Sequence, residues 1–444
     1  MRPADTDGRS LTMASWGGLP IAGADRIEER DWRFENLPEL SATDSLLPYG
    51  RGRSYGDSCI NSHATQVSTQ RLNRLIRFDD EHGILHCEAG VTLDDILQVI
   101  VPRGWFLPVL PGTRFATLGG AIANDVHGKN HHRAGSFGCH VRSLTLLRSD
   151  GERYLCNLQD NARLFAATIG GLGLTGLVIS AEIKLVRISS DQMEVEDLTF
   201  SSVEEFGVLS RDSADWEYTV SWIDTFARNG KVGRGIFSRA RHAQNAQALK
   251  PGGHGPSVGI PFTPPVSLAN KWTVDVFNRA YFWRRSQKKG LYSMHFQPFF
   301  FPLDAVANWN RVYGKRGFYQ YQCVVPREGG EEAVETLLRK VNHSGAASFL
   351  TVLKEFGDQR SPGMLSFPRP GLTLAIDFPN RGESTKRLLA SFDQVVQSVG
   401  GALYPAKDAC MPGPLFHSGY PELSAFIPEI DPGFSSTFWR RVQE

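Results

Sequence analysis

The chain has 444 residues, 41% hydrophobic and 21% charged, with 48 Lys and Arg against 47 Asp and Glu. That length exceeds what one hydrophobic core usually supports, so two domains are expected, and a net charge of +1 leaves no global electrostatic basis for nucleic-acid binding. The six cysteines are scattered without a C-x-x-C pair, which points to free thiols in a reducing compartment rather than disulfide staples. The segment MRPADTDGRSLTMASWGG lacks the apolar core of a signal peptide, and no run of about 18 apolar residues occurs, so a cytoplasmic protein without a transmembrane anchor is expected.

Between 46 and 190, short apolar segments alternate with glycine-bearing turns: RFDDEHGILHCEAG, the helix-like LDDILQVIVPRG, SLTLLRSDGERYL and the alternating, Val- and Ile-rich LVISAEIKLVRI. The tripeptide SDG at 149–151 predicts a hairpin turn. After Ser190 the texture becomes aromatic and charged. Strand-like EYTVSWID, YQYQCVVP, SFLTVLKEF and LTLAIDFP are interspersed with helical EEAVETLLRKVN and TKRLLASFDQVVQSVGG, the latter closed by paired glycines. An α+β protein follows, its second domain a sheet backed by helices. Residues 241–268, rich in Pro, Gly and small polar residues, are too long for an ordinary connector and are expected to be mobile or functional. The next stretch, AYFWRRSQKKG, reads either as a solvated helix face or as a patch for a lipid headgroup or polyprenyl phosphate at 281–289.

Six glycines, Gly112, Gly119, Gly120, Gly128, Gly135 and Gly138, crowd the window PGTRFATLGGAIANDVHGKNHHRAGSFG at 111–138. Such density predicts unusual backbone conformations or a ligand lying against the main chain, and successive free N–H groups suit phosphate. A second glycine element, PYGRGRSYGD at 48–57, fits neither the dinucleotide fingerprint nor the P-loop. With both present, two backbone cradles on one cofactor are expected. His127 and His131 stand four apart, but Gly128 replaces the glutamate of a zinc helix and the surrounding glycines oppose a helix, so no metal site is expected. No G-x-S-x-G elbow occurs, which disfavours serine-hydrolase chemistry.

GRGRSYGD, then PVLPGTRFATLGGAIANDVHGKNHHRAGSFG, then GGLGLTG at 170–176 resemble the FAD-binding domain of vanillyl-alcohol-oxidase-type flavoproteins. Through GRGIFSR, FPLD, WNRVYG, GFYQYQCVVP, LSFP, IDFP and LYPAKD, nearly the whole chain is similar to the decaprenylphosphoryl-β-D-ribose 2′-oxidase family, with its arabinonolactone-oxidase-like C-terminal region. The resemblance implies a two-domain PCMH-type fold. Residues 1–190, completed by 403–444, would bind FAD, and 191–402 would form an antiparallel-sheet substrate domain. It implies Gly52, Arg53, Ser54, Tyr55, Gly56 and Asp57 with Gly112, Thr117, Leu118, Gly119 and Gly120 at the FAD pyrophosphate. Asn124, Asp125, Val126, His127, Val178, Tyr404 and Lys407 would lie near the flavin. Lys129, Trp222, Gln320, Gln322, Lys354 and Phe356 would line the substrate site, together with Thr373 and Ala375.

The implied activity is oxidation of the 2′-hydroxyl of a polyprenyl-phosphoryl ribose to a keto sugar, with an NADH-dependent short-chain reductase as partner in epimerisation to arabinose. Catalytic roles fall to His127, Lys407 and Tyr55, and the base is left open between a side chain and water. A cation at Lys407 would meet the negative charge a flavin gains with hydride. Gly52-Arg53-Ser54 replaces the G-H-S loop through which many relatives attach flavin, so non-covalent FAD is implied. Three departures touch the substrate pocket. Ala375 stands where mycobacterial members carry a cysteine attacked by nitroaromatic inhibitors, Thr373 replaces an asparagine, and Phe300 replaces a tyrosine. An aldonolactone or alditol oxidase using oxygen, or a non-catalytic flavin-binding scaffold, are the alternative readings.

Overall fold

The computed structural model describes residues 13–41, 44–226, 232–244, 249–253, 258–346 and 348–444. Among these residues the strands form two main sheets, both antiparallel. Five strands in the order Leu75–Asp79, Ile84–Glu88, Leu177–Lys184, Val141–Leu147 and Arg153–Asn157 make the first. Its last two pair across the SDG turn as a hairpin. Leu177–Lys184 is central and buried over most of its length, which explains its dense apolar run. The helix Leu93–Ile100 packs Leu93, Ile96, Leu97 and Ile100 inward at helical spacing. Its first turn is closed by a capping box between Thr92 and Asp95. A small parallel sheet of Arg26–Glu29, Leu46–Tyr49 and Thr65–Ser68 flanks this unit.

The second sheet has eight strands in the order Leu291–His295, Gln192–Phe200, Gly235–His242, Tyr218–Ile223, Thr351–Phe356, Gly371–Pro379, Phe318–Val325 and Ala402–Leu403. The period of two along a strand divides its residues between two environments. Phe237, Tyr321, Cys323, Leu353, Leu374 and Ile376 form a core with the helices Val203–Asp212, Gly330–Ser344 and Glu383–Ser398. Alternate residues on the same strands face the first unit.

The C-terminal segment ties the two together. Phe416, Tyr420 and Phe438 join the core of the eight-stranded unit, while Phe434 packs on Leu46, Val67 and Leu177 of the first. Arg441 ion-pairs with Asp57 at 2.7 Å and with Asp408 at 2.8 Å.

The reading of the N-terminal segment falls largely on residues 1–12, outside the described residues, as do 245–248 and 254–257 of the loop 241–268. The rest of that loop is tied to the fold. Lys250 N–H donates to Asp191 at 2.7 Å, Gln297 donates to the Gly253 carbonyl at 2.9 Å, and Val258–Gly259 pairs with Val306–Ala307. AYFWRRSQKKG lies on and just beyond the helix Lys271–Ser286, which Asn270 caps. No described helix is long and apolar enough to cross a membrane.

Candidate active site

A cavity of about 420 Å³ opens between the two units. On the first unit its wall is built from the two glycine elements. Gly52 has a φ of 58°, and a Cβ there would strike the Tyr49 hydroxyl and the Ala14 carbonyl, so this turn requires glycine. Gly50 abuts the Thr117 side chain, which sets the loop against the start of the helix Leu118–Ala123. Of the two expectations for 111–138, unusual backbone accounts for few of the glycines. Only Gly135 of the six glycines has a left-handed φ; Gly119 and Gly120 are helical, and the Thr117 hydroxyl accepts from Gly120 N–H at 3.2 Å. Close packing explains the density instead. A Cβ on Gly119 would come within 2.9 Å of Ala89 Cβ, and one on Gly128 within 3.0 Å of the Leu110 carbonyl. At Gly112 nothing lies within 4 Å of an added Cβ, and the backbone borders the cavity. Arg53 Nε and Ser58 Oγ, both at cavity-lining residues, are buried without a hydrogen-bond partner among the described residues. Orphaned donors beside bare backbone fit a bound group rich in oxygens.

Most of the residues singled out from sequence meet here. Gly52, Arg53, Ser54, Tyr55, Gly112, Thr117, Gly119, Gly120, Asn124, Val126, His127, Val178, Tyr404 and Lys407 line the cavity. So do Lys129, Trp222, Gln320, Gln322, Lys354, Thr373 and Ala375. Gly56, Asp57, Leu118, Asp125 and Phe356 stand behind the wall. Leu118 is core, Gly56 is pressed on the Asp408 carbonyl, and Asp57 holds Arg441. Phe356 lies beneath His127 and His131, with ring centroids 4.9 and 4.6 Å away. Asp125 is buried at a φ of 39°. Its carboxylate accepts from Gly138 N–H at 2.7 Å and the Ser366 hydroxyl at 2.5 Å, which fixes the loop that carries Val126 and His127.

His127 is the meeting point of the two units. The Gln322 amide donates to its Nε2 at 2.9 Å and to the Thr373 hydroxyl at 3.2 Å. Phe356, Phe367 and Tyr404 surround the ring. Burial and the nearby Lys354 hold its pKa well below the ordinary value, so the imidazole is neutral. The Tyr404 hydroxyl donates to the Asn124 carbonyl at 2.9 Å.

Lys407 Nζ stands 3.6 Å from the centre of the Tyr55 ring, a cation–π contact. Burial lowers the pKa of Lys407, and the neighbouring Asp377 opposes that shift. Asp377 is fully buried and accepts from Gln320 at 2.5 Å and the Tyr313 hydroxyl at 3.4 Å. Asp377, the carboxylate of IDFP, is a site residue that the sequence pattern does not single out. Its one mark is to be a lone carboxylate inside the apolar strand LTLAIDFP, since such a group needs partners to be tolerated. Asp304, from FPLD, is not singled out either; it accepts from Arg114 N–H at 2.9 Å and the Thr113 hydroxyl at 3.2 Å at the cavity's edge.

Residues 41–157 match the FAD binding domain family. Over 417 residues the chain is 37% identical to the decaprenylphosphoryl-β-D-ribose oxidase of Mycolicibacterium smegmatis, which covers 90% of this chain and 89% of that protein. The chain belongs to the decaprenylphosphoryl-β-D-ribose oxidase family. It is 31% identical to an uncharacterized protein in the mprA 5′ region of Streptomyces coelicolor, over 79% of this chain and 100% of that protein. A more distant likeness, 24% over 54% of this chain and 46% of the relative, links it to the D-arabinono-1,4-lactone oxidase of Saccharomyces cerevisiae. As a member of the decaprenylphosphoryl-β-D-ribose oxidase family, the chain is an FAD-dependent oxidoreductase, and the bare backbone at Gly112 with the orphaned Arg53 Nε and Ser58 Oγ fits that cofactor.

Proposed function

We propose that this enzyme oxidises the 2′-hydroxyl of a polyprenyl-phosphoryl-β-D-ribose to the 2′-keto sugar, with an NADH-dependent short-chain reductase completing the epimerisation. The observation that carries it is the meeting of His127, Gln322, Tyr55 and Lys407 at one cavity that Lys129 and Lys354 also line, in a chain so similar to a relative named for that substrate. FAD, held non-covalently by the glycine elements, supplies the hydride acceptor. The residues do the rest. Gln322 fixes the orientation of His127, and Gln320 and Asp377 stand behind Tyr55 and Lys407. As C2′ loses hydride, its hydroxyl loses a proton. His127 and Lys407 stand around that hydroxyl, Lys407 as the cation that meets the developing negative charge, and the proton leaves to a neighbouring base or to water.

The helix Lys271–Ser286 supports peripheral attachment to a membrane. Tyr281 and Arg285 turn to the cavity, and Arg285 pairs with Asp197 at 2.6 Å. Trp272, Val276 and Trp283 are exposed on the same helix, at 78%, 68% and 67%, with Phe262 and Val266 exposed nearby in sequence. Lys288 and Lys289 follow it. An apolar ridge with cations beside it suits an anionic lipid surface. Co-sedimentation with phosphatidylglycerol vesicles should fall for Trp272→Ser/Trp283→Ser, and undiminished binding would remove the ridge from this role.

Anaerobic mixing of the holoenzyme with farnesyl-phosphoryl-β-D-ribose, and separately with sugar lactones, tests the reading. Bleaching of the flavin by the lipid sugar alone is expected. Bleaching by lactones would favour a lactone oxidase, for which the yeast relative speaks, and a flavin that stays oxidised with every sugar would mark a scaffold. Acid precipitation should leave the yellow colour in the supernatant; a yellow pellet would mean a covalent bond.

A further inference from the structure

Lys129 and Lys354 approach the cavity from different units. Lys129 follows His127 in the glycine window, and its ammonium donates to the Phe300 carbonyl at 2.9 Å. Lys354 extends from the strand Thr351–Phe356, opposite Thr373 in register, and donates to the Gly128 carbonyl at 3.1 Å. Both line the cavity. An ammonium has three donors, and each of these is seen to use one, on a backbone carbonyl. Among the described residues neither ammonium has a carboxylate within ion-pair distance; the flanking groups are the rings of Phe299, Phe300 and Phe356, 5.5 to 5.7 Å away.

Two cations in one partly apolar wall repel each other and lose hydration, so the arrangement is costly unless an anion completes it. The strain shows in their protonation. Burial and repulsion from Lys129 and Lys407 pull Lys354 down to about 7. Burial pulls Lys129 down to about 8, with Asp304 opposing. An anion between them would raise both. The glycine elements with Arg53 and Ser58 offer their free donors on the first unit, whereas Lys354 hangs from the eight-stranded sheet. Along that sheet Val352 and Trp222 continue the wall towards Tyr281 of the helix that bears the exposed ridge, with the Trp222 and Tyr281 ring centroids 4.7 Å apart.

We propose that Lys129 and Lys354 form a subsite for the phosphodiester of the substrate, holding the negative charge that joins the sugar to its lipid. This rests on the proposed oxidation of a lipid-linked sugar phosphate and deepens it. The sugar lies on the His127 and Lys407 side of the subsite, and the chain leaves past Trp222. A negative charge beside the sugar is then part of what the enzyme recognises.

The test compares farnesyl-phosphoryl-β-D-ribose with the uncharged farnesyl β-D-riboside, each titrated anaerobically into holoenzyme. The charged compound should bind the wild type at least about tenfold more tightly, as expected for charge-assisted hydrogen bonds. Lys129→Met and Lys354→Met should each remove most of that preference, weakening the charged compound far more than the neutral riboside, and keep their FAD. Lys354→Arg should retain the preference. Equal affinity of the wild type for the two compounds, or Met variants that weaken both alike, would overturn the subsite. A titration with farnesyl phosphate, followed through the flavin spectrum, separates this from the oxidation itself. If neither sugar bleaches the flavin but farnesyl phosphate binds the wild type and not the Lys129→Met/Lys354→Met variant, the anion subsite stands and the sugar assignment falls. Equal binding of farnesyl phosphate by both proteins sinks the subsite.

Discussion

Asp377 and Lys407 are opposite charges in one buried place, and each alters the other's titration. Burial raises the carboxyl and lowers the ammonium, while their attraction works against both shifts. Asp377→Asn removes the interaction that sustains the Lys407 charge, so Lys407 should lose its proton at lower pH. The alkaline limb of flavin reduction should then move to lower pH; an unchanged pH profile would dismiss Asp377 from this role. Two residues earlier on the same strand, Ala375 lines the cavity and has no thiol to offer. Cys59 does line the cavity, but burial pushes its thiol up to about 12, far from the reactive thiolate. Nitroaromatic inhibitors that capture a cysteine in mycobacterial members should leave the intact mass of this enzyme unchanged under turnover, and a mass increase would disprove this.

Among the elements, the strands were the most legible. EYTVSWID, YQYQCVVP, SFLTVLKEF and LTLAIDFP all became strands of the eight-stranded sheet, because alternation and β-branched or aromatic content act locally. The glycine window was legible as a site but not as a shape. Its glycines answer mostly to distant neighbours such as Ala89 and Leu110, which no local pattern encodes. Asp393 was equally invisible within TKRLLASFDQVVQSVGG. It is buried on the helix Glu383–Ser398 and accepts from the Tyr321 hydroxyl at 3.0 Å. Burial and the charge of Asp408 raise its pKa to about 7. A carboxyl raised in the fold contributes stability that is full below its unfolded pKa of about 3.9 and lost as pH rises through about 7. Asp393→Asn cannot ionise and keeps an acceptor for Tyr321. Its Tm should exceed that of the wild type by about 2–4 °C at pH 8.5 and by less at pH 5.5, measured by calorimetry; a gap that narrows towards high pH would refute the assignment.

For the molecule as a whole, the cavity separates two units that the C-terminal segment ties together. FAD bound there contacts the native state and not the unfolded chain, so it adds stability as the logarithm of its free concentration. Stripping the cofactor should lower Tm by several degrees, about 2–4 °C for each kcal/mol lost, and titrating FAD back should restore it progressively. A Tm indifferent to FAD would place the cofactor outside this cleft. That the C-terminal segment returns to the first unit is implied by the family resemblance, but the contacts by which it does so are not written in local sequence. Its anchors, Arg441 on Asp57 and Phe434 on Leu46, join residues far apart in the chain, and only tertiary structure brings them together.

The eight-stranded sheet presents Trp222, Ser238, Gln320, Gln322, Lys354, Thr373 and Ala375 to the cavity from five neighbouring strands, while the residues between them hold the helices. For an evolving lineage this amounts to a keyboard. Gln320, Gln322 and Lys354 are tied to Asp377, His127 and Gly128, but Trp222, Thr373 and Ala375 can be exchanged one at a time without disturbing the hydrophobic partners on the reverse side, and none of them belongs to the glycine elements. A protein built this way can inherit its redox chemistry intact and change the sugar it acts on one position at a time, and Thr373 and Ala375 are the positions where the family resemblance implies that this has begun.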